Sequence, residues 1–112
     1  MPDRPLVWLE GKVQSPPFSP EARRYAGWQL RRLQRGEILT MPDSRPMPTI
    51  GPRCHELRIT DRTASKEWRI IYRVDADAIV IADAFAKKSR TTPKAAVSRA
   101  ARRFRRYDEA VQ

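Results

Sequence analysis

The chain carries one cysteine, Cys54, and one histidine, His55. A single thiol cannot close an internal disulfide, and secreted domains this small usually hold several. One histidine beside one cysteine also falls short of any recognisable zinc constellation. The chemistry expected of this chain is therefore metal-independent and uses no cofactor. Long apolar runs are missing as well. The longest extends from Ala78 to Ala82, far below the ~20 residues that cross a bilayer as a helix. The first residues, Met1-Pro2-Asp3-Arg4-Pro5, lack the apolar core of a secretory leader. A cytoplasmic protein without a membrane partner is expected. Acidic residues are also scarce: 13 Asp+Glu face 23 Lys+Arg, a net charge of +10.

That surplus is unevenly placed. Residues 87–112 hold nine basic and two acidic residues, so +7 of the +10 falls in the last quarter. Arg outnumbers Lys 18 to 5, and the planar guanidinium fork suits phosphate better than an ammonium point charge does. Nucleic acid or an acidic protein is the leading class of partner; a solvated basic surface without a dedicated partner is the plainer alternative. With 112 residues, a single domain over 1–112 with one modest core is expected.

Along the chain, Pro5–Leu9 reads as a short strand and Gly11–Ser19 as a loop, because Pro16-Pro17 forbids a regular helix there. Ser19-Pro20-Glu21 reads as a helix start: a Ser cap, Pro at the first helical position and Glu beside the positive helix end. The helix is expected to reach about Arg35 and stop at Gly36. Ala22, Ala26, Gln29/Leu30 and Leu33 form its buried stripe. The segment 37–52 contains Pro42, Pro46, Pro48 and Pro52, which leaves an ordered surface loop. Three strands follow, at about Cys54–Thr60, Glu67–Val74 and Ala78–Phe85. Thr91-Thr92-Pro93 starts a second helix, with Thr as cap and Val97, Ala100, Ala101, Phe104 and Val111 as its apolar stripe.

Strand alternation sorts the side chains. His55, Leu57 and Ile59 share one face with Trp68, Ile70, Tyr72 and Val74. Glu56 and Arg58 share the other with Arg69 and Arg73. A carboxylate among cations on one pleated surface suits work on a phosphodiester. RNA cleavage without a metal needs a base for the 2′-hydroxyl, an acid for the leaving 5′-oxygen and cations against the charge on phosphorus. Lys87 or Lys88, set among other cations, is a candidate base with a depressed pKa. Arg58, Arg69 and Arg73 are candidate clamps. Tyr72 is a candidate acid, although alternation puts it on the oily face. The plainer reading makes these groups cross-strand ion pairs worth ~0.2–1 kcal/mol each. His55, in register with Leu57 and Ile59, reads as a packed histidine, and Cys54 as inert. The helical arginines Arg102, Arg103, Arg105 and Arg106 suit phosphate contacts but carry no base-reading pattern.

The succession Gly51-Pro52, Glu56-Leu57-Arg58, Trp68-Arg69-Ile70-Ile71-Tyr72-Arg73, Phe85-Ala86-Lys87-Lys88, Thr92-Pro93, Ala100 and Arg103 resembles the RelE/HigB-type toxins of type II toxin–antitoxin systems, in particular their phage-related branch. The resemblance implies an α+β fold in which an N-terminal strand and a three-stranded meander form a small antiparallel sheet, packed on one face by two main helices. It implies a ribosome-dependent endoribonuclease that cleaves mRNA and inhibits translation, with a cognate antitoxin, often a helix-turn-helix protein, as its partner. Carried over by position, it marks Arg58, Arg69, Tyr72, Lys87 and Lys88 as catalytic. Glu56 also falls on a motif position and, with Arg73, Arg102, Arg103 and Arg106, is expected to contact the RNA. A ParE-like toxin that binds gyrase without catalysis and a basic interaction module are the alternatives.

Overall fold

Ser19 begins the first helix as its neighbours require. In the computed structural model, which describes residues 3–9, 18–87 and 91–111, its side chain accepts the Ala22 amide and Pro20 occupies the first turn. The helix, α1 (Pro20–Gln34), ends where Gly36 takes φ 93°. There the Gly36 amide donates to Leu33 O and the Glu37 amide to Arg32 O, the paired closure that a left-handed glycine permits. Ala22, Ala26, Gln29, Leu30 and Leu33 are buried, the stripe expected from spacing. Burying Leu30 and Leu33 contributes roughly 1.5–3 kcal/mol apiece before chain entropy is counted.

The remaining elements are β1 (Leu6–Trp8), β2 (Ser44–Pro46), β3 (Cys54–Asp61), β4 (Lys66–Val74), β5 (Ile79–Lys87) and α2 (Lys94–Ala110). The strands form one sheet in the order β1-β5-β4-β3-β2. This is an α+β fold, as expected, with three differences. First, the sheet is mixed, because β1 runs parallel to β5. Second, the proline-rich segment supplies a fifth strand: β2 pairs antiparallel with β3, Arg45 facing Glu56. Pro46 is tolerated because β2 is an edge strand. Third, the helices do not share a face. α1 packs on Leu57, Ile59, Trp68, Ile70, Tyr72, Ile79 and Ile81. The second core joins Ala100 and Phe104 of α2 to Cys54, Ile71, Val80 and Ala82. A strand apolar on both sides, as β5 is, needs cover on both.

The loop expected at Gly11–Ser19, with its Pro16-Pro17 pair, lies outside the described residues except for its last two positions. The start of α2 also differs from expectation. Pro93 takes the cap position and no side chain caps the helix, because the Thr92 hydroxyl donates to Glu56 instead. At the other end Val111 is exposed, and Ala96 takes its place in the buried stripe.

Asp61 binds α1 to the sheet. One of its oxygens accepts the Ser19 amide at 2.9 Å and the Trp68 indole N–H at 3.2 Å, and the other accepts the Ala64 amide. These donors, the Ser19 amide foremost, hold its carboxyl down at about 2. Its contribution to stability is complete above the ordinary aspartate range and is lost as pH falls toward that value. Asp61→Asn is expected to unfold more easily than the wild type at neutral pH, with the gap closing in acid. Parallel urea curves at both pH values would contradict this.

Candidate active site

Glu56 is a carboxylate with no solvent exposure near the start of β3. Removing a carboxylate from water costs several kcal/mol unless cations and donors replace the water. Here Arg45 Nη2 lies 3.4 Å, Arg69 Nε 3.3 Å and Lys87 Nζ 3.8 Å from Glu56 Oε1. The Thr92 hydroxyl donates to the other oxygen, Oε2. Three strands and the segment leading into α2 thus converge on one carboxylate.

Lys87 reaches this cluster through an irregularity in β5. Ile71 pairs with Asp83, but the next residue, Tyr72, pairs with Ile81. The bulge at Ala82 reverses the alternation beyond it. Ile79 and Ile81 face α1, and strict alternation would have sent Lys87 the same way. Because of the extra residue, Lys87 emerges on the side of Glu56. Bulges that re-aim a side chain in this manner are common beside active sites.

The resulting electrostatics are lopsided. Three cations surround one carboxylate, a surplus of two positive charges when Lys87 is protonated. Lys87 and Arg69 are almost enclosed, with 3% and 6% of their side chains exposed. Burial, followed by the repulsion of Arg69, Arg45 and Arg58, depresses the Lys87 pKa below the usual lysine range; Glu56 opposes the shift without cancelling it. Beside the cluster a groove of about 680 Å³ passes the outer edge of β3, lined by Arg58, Thr60, Glu67 and Arg69 on one side and Tyr25 and Asp43 on the other. Arg58 lines this groove and contacts Met41 Sδ at 3.9 Å.

The other sequence candidates lie elsewhere. Tyr72 is on the α1 side of the sheet, opposite Glu56, buried and 2.6 Å from Ser44 Oγ. Burial raises its pKa. His55 stacks on it at 5.2 Å, and burial lowers the His55 pKa, in keeping with a packed imidazole. Arg73 is held by Asp75 and Asp108 through four bonds of 2.7–3.0 Å, above the Phe104 ring. Arg103 donates to Ala82 O at 2.7 Å and helps to fasten α2 to β5. Arg99 does the same through Asp83, at 2.6 Å. Arg102, Arg105 and Arg106 are exposed on α2. Lys88 lies outside the described residues. Burial pushes the Cys54 thiol up to about 11, so it stays protonated at neutral pH.

The sequence reading missed Arg45 and Thr92. Arg45 lies in the proline-rich segment expected to be loop, and Thr92 at the expected helix cap. The signal for Arg45 was its alternation with Ser44 beside a proline, the pattern of an edge strand.

Residues 17–105 match the model of the phage-derived protein Gp49-like family (DUF891). The chain belongs to this family. The Gp49-like proteins are toxins of toxin–antitoxin systems of the RelE/HigB type, and membership implies an antitoxin partner. A search of the curated proteins found no match. The matched region contains Arg45, Glu56, Arg69, Lys87 and Thr92, so the whole cluster belongs to the family domain.

Proposed function

We propose that this Gp49-like toxin is a ribosome-dependent endoribonuclease that cleaves mRNA at the Glu56 cluster. The observation that carries the reading is the surplus of enclosed positive charge around one carboxylate, with a lysine of depressed pKa inside it. Neutral Lys87 takes the proton of the RNA 2′-hydroxyl. The 2′-oxygen then attacks phosphorus, and the P–O5′ bond breaks to leave a 2′,3′-cyclic phosphate and a 5′-hydroxyl. During attack the phosphoryl group passes from one negative charge to two. Protonation of Lys87 raises the surplus of the cluster from one positive charge to two in the same step, so site and transition state change charge together.

Arg69 and Arg58 supply fixed charge beside the groove. The leaving oxygen needs a proton that arginine cannot give, and Lys88, which follows the base, is the candidate donor. Exposed Arg102, Arg105 and Arg106 hold ribosomal RNA through phosphate contacts that salt screens. The antitoxin partner is proposed to be a small helix-turn-helix protein encoded beside this chain.

Induced expression is expected to arrest translation, and primer extension on a translated message is expected to show discrete cuts. Equal cutting of naked RNA, or intact messages with inhibited DNA supercoiling, would reject the reading; the latter result would select a gyrase-binding toxin.

A further inference from the structure

Two kinds of arginine occur in this fold. Arg73 is satisfied: both its terminal nitrogens and Nε meet carboxylate oxygens at 2.7–3.0 Å. Arg45 is not. Its Nη2 has three partners, Met47 Sδ at 3.6 Å, Glu56 Oε1 at 3.4 Å and Thr92 Oγ1 at 3.4 Å, and both oxygens lie beyond the usual 2.7–3.2 Å of a good N–H···O bond. Its Nε is buried and has no hydrogen-bond partner. Arg69 shares that deficit: its Nε is also buried and unpartnered, the 3.3 Å approach to Glu56 being an ion pair without hydrogen-bond geometry. Buried donors left unpaired are uncommon in folded proteins. Two of them beside one carboxylate that already faces three cations form a place suited to an acceptor rich in oxygen.

Exposure orders the three cations. Arg45 keeps 38% of its side chain exposed, whereas Arg69 and Lys87 keep 6% and 3%. An anion arriving from solvent at the Glu56 cluster therefore meets Arg45 first, and it reaches Lys87 only if the grouping around Glu56 opens. Thr92 stands at that opening. Its hydroxyl holds Glu56 Oε2, while the cations share Oε1.

We propose that Arg45 is a substrate-binding residue, which turns from Glu56 to the phosphoryl oxygens as RNA enters, and that Thr92 is a positioning residue, which keeps the Glu56 carboxylate on Arg69 and Lys87 while Arg45 is away. The proposal rests on the nuclease reading for its substrate, a phosphodiester, but the role of Arg45 is testable without cleavage. Arg45 is poised for this movement by its edge position and its long bonds. Thr92 prevents the freed carboxylate from swinging toward the incoming phosphate, which it would repel.

The test pairs inorganic phosphate binding to the isolated protein, followed by calorimetry, with single-turnover cleavage on programmed ribosomes. Arg45→Gln is expected to weaken phosphate binding about tenfold, and to raise the half-saturating substrate concentration while changing the maximal rate by less than about threefold. Arg45→Lys should recover part of the binding. Thr92→Val is expected to lower the maximal rate about tenfold with little change in half-saturation, and Thr92→Ser to restore it. Undiminished phosphate binding by Arg45→Gln, or no binding by the wild type, overturns the assignment of Arg45. An unchanged rate for Thr92→Val, or failure of serine to rescue it, overturns that of Thr92. Loss of phosphate binding in Arg45→Gln when no cleavage occurs in any protein supports the role of Arg45 and rejects the nuclease reading instead.

Discussion

Lys87→Met is expected to lose between a hundredfold and ten-thousandfold of single-turnover cleavage, roughly the share a positioned general base supplies, and to keep or gain thermal stability. The two halves of this result come from one cause. An enclosed ammonium among arginines is disfavoured in its charged form, so replacing it by an apolar chain of similar length relieves repulsion. Glu56 retains Arg45 and Arg69 as partners. The sign of the pH dependence follows. Only neutral Lys87 accepts a proton, so the wild-type rate should rise with pH and level off above the depressed pKa, below the pH at which an ordinary lysine titrates. Stability moves the same way, rising with pH because the unfolded chain binds the proton more tightly. Cleavage by Lys87→Met that kept the wild-type pH profile would exclude Lys87 as the base. A fall in melting temperature matching the fall in rate would make its role structural.

Glu56→Gln carries the largest expected loss of stability. The amide keeps the shape but removes the negative charge of the cluster, leaving three cations facing one another. Breaking a buried ion pair from one side costs about 3–5 kcal/mol, which for a chain of this size lowers the melting temperature by roughly 10–20 °C. Added phosphate should restore part of the loss, since an anion that binds the folded state stabilises it. Double replacement, Glu56→Gln with Lys87→Met, should be more stable than Glu56→Gln alone because one repelling charge is gone. Melting within about 3 °C of the wild type for the single variant would mean that the cluster is well hydrated.

Much of the scaffold was legible because local rules and tertiary packing agree. Ser19, Pro20 and Gly36 bound α1 as their chemistry predicts, and the spacing of Ala22, Ala26, Leu30 and Leu33 identified its buried side. Alternation placed Glu56 with Arg69 and Tyr72 away from them. The site itself was less legible, for two physical reasons. The bulge at Ala82 leaves no mark in composition, yet it decides on which side Lys87 emerges. A charged face was also read as an uncovered face. In fact α2 lies over its apolar part, at Ile71, Val80 and Ala82, while Arg73 reaches Asp108 on α2 itself. The apolar character of β5 on both sides already required a second covering layer. Thr92 was unreadable as a ligand of Glu56 because 36 residues separate them, and a threonine before a proline fits a helix cap equally well.

The place of β5 between β1 and β4 has a consequence for how the chain acquires its shape. Leu6 finds its partner at Ile79, seventy-three residues later, so the first strand made is the last to be seated. The Glu56 cluster likewise draws on positions from Arg45 to Thr92. Such long-range pairings form slowly, because loop closure must precede the contacts that reward it. During synthesis the emerging chain can make α1 and the β3–β4 hairpin early, but it has neither its outer strand nor its collected cations. Any activity of the cluster is therefore delayed until most of the chain has left the ribosome that makes it.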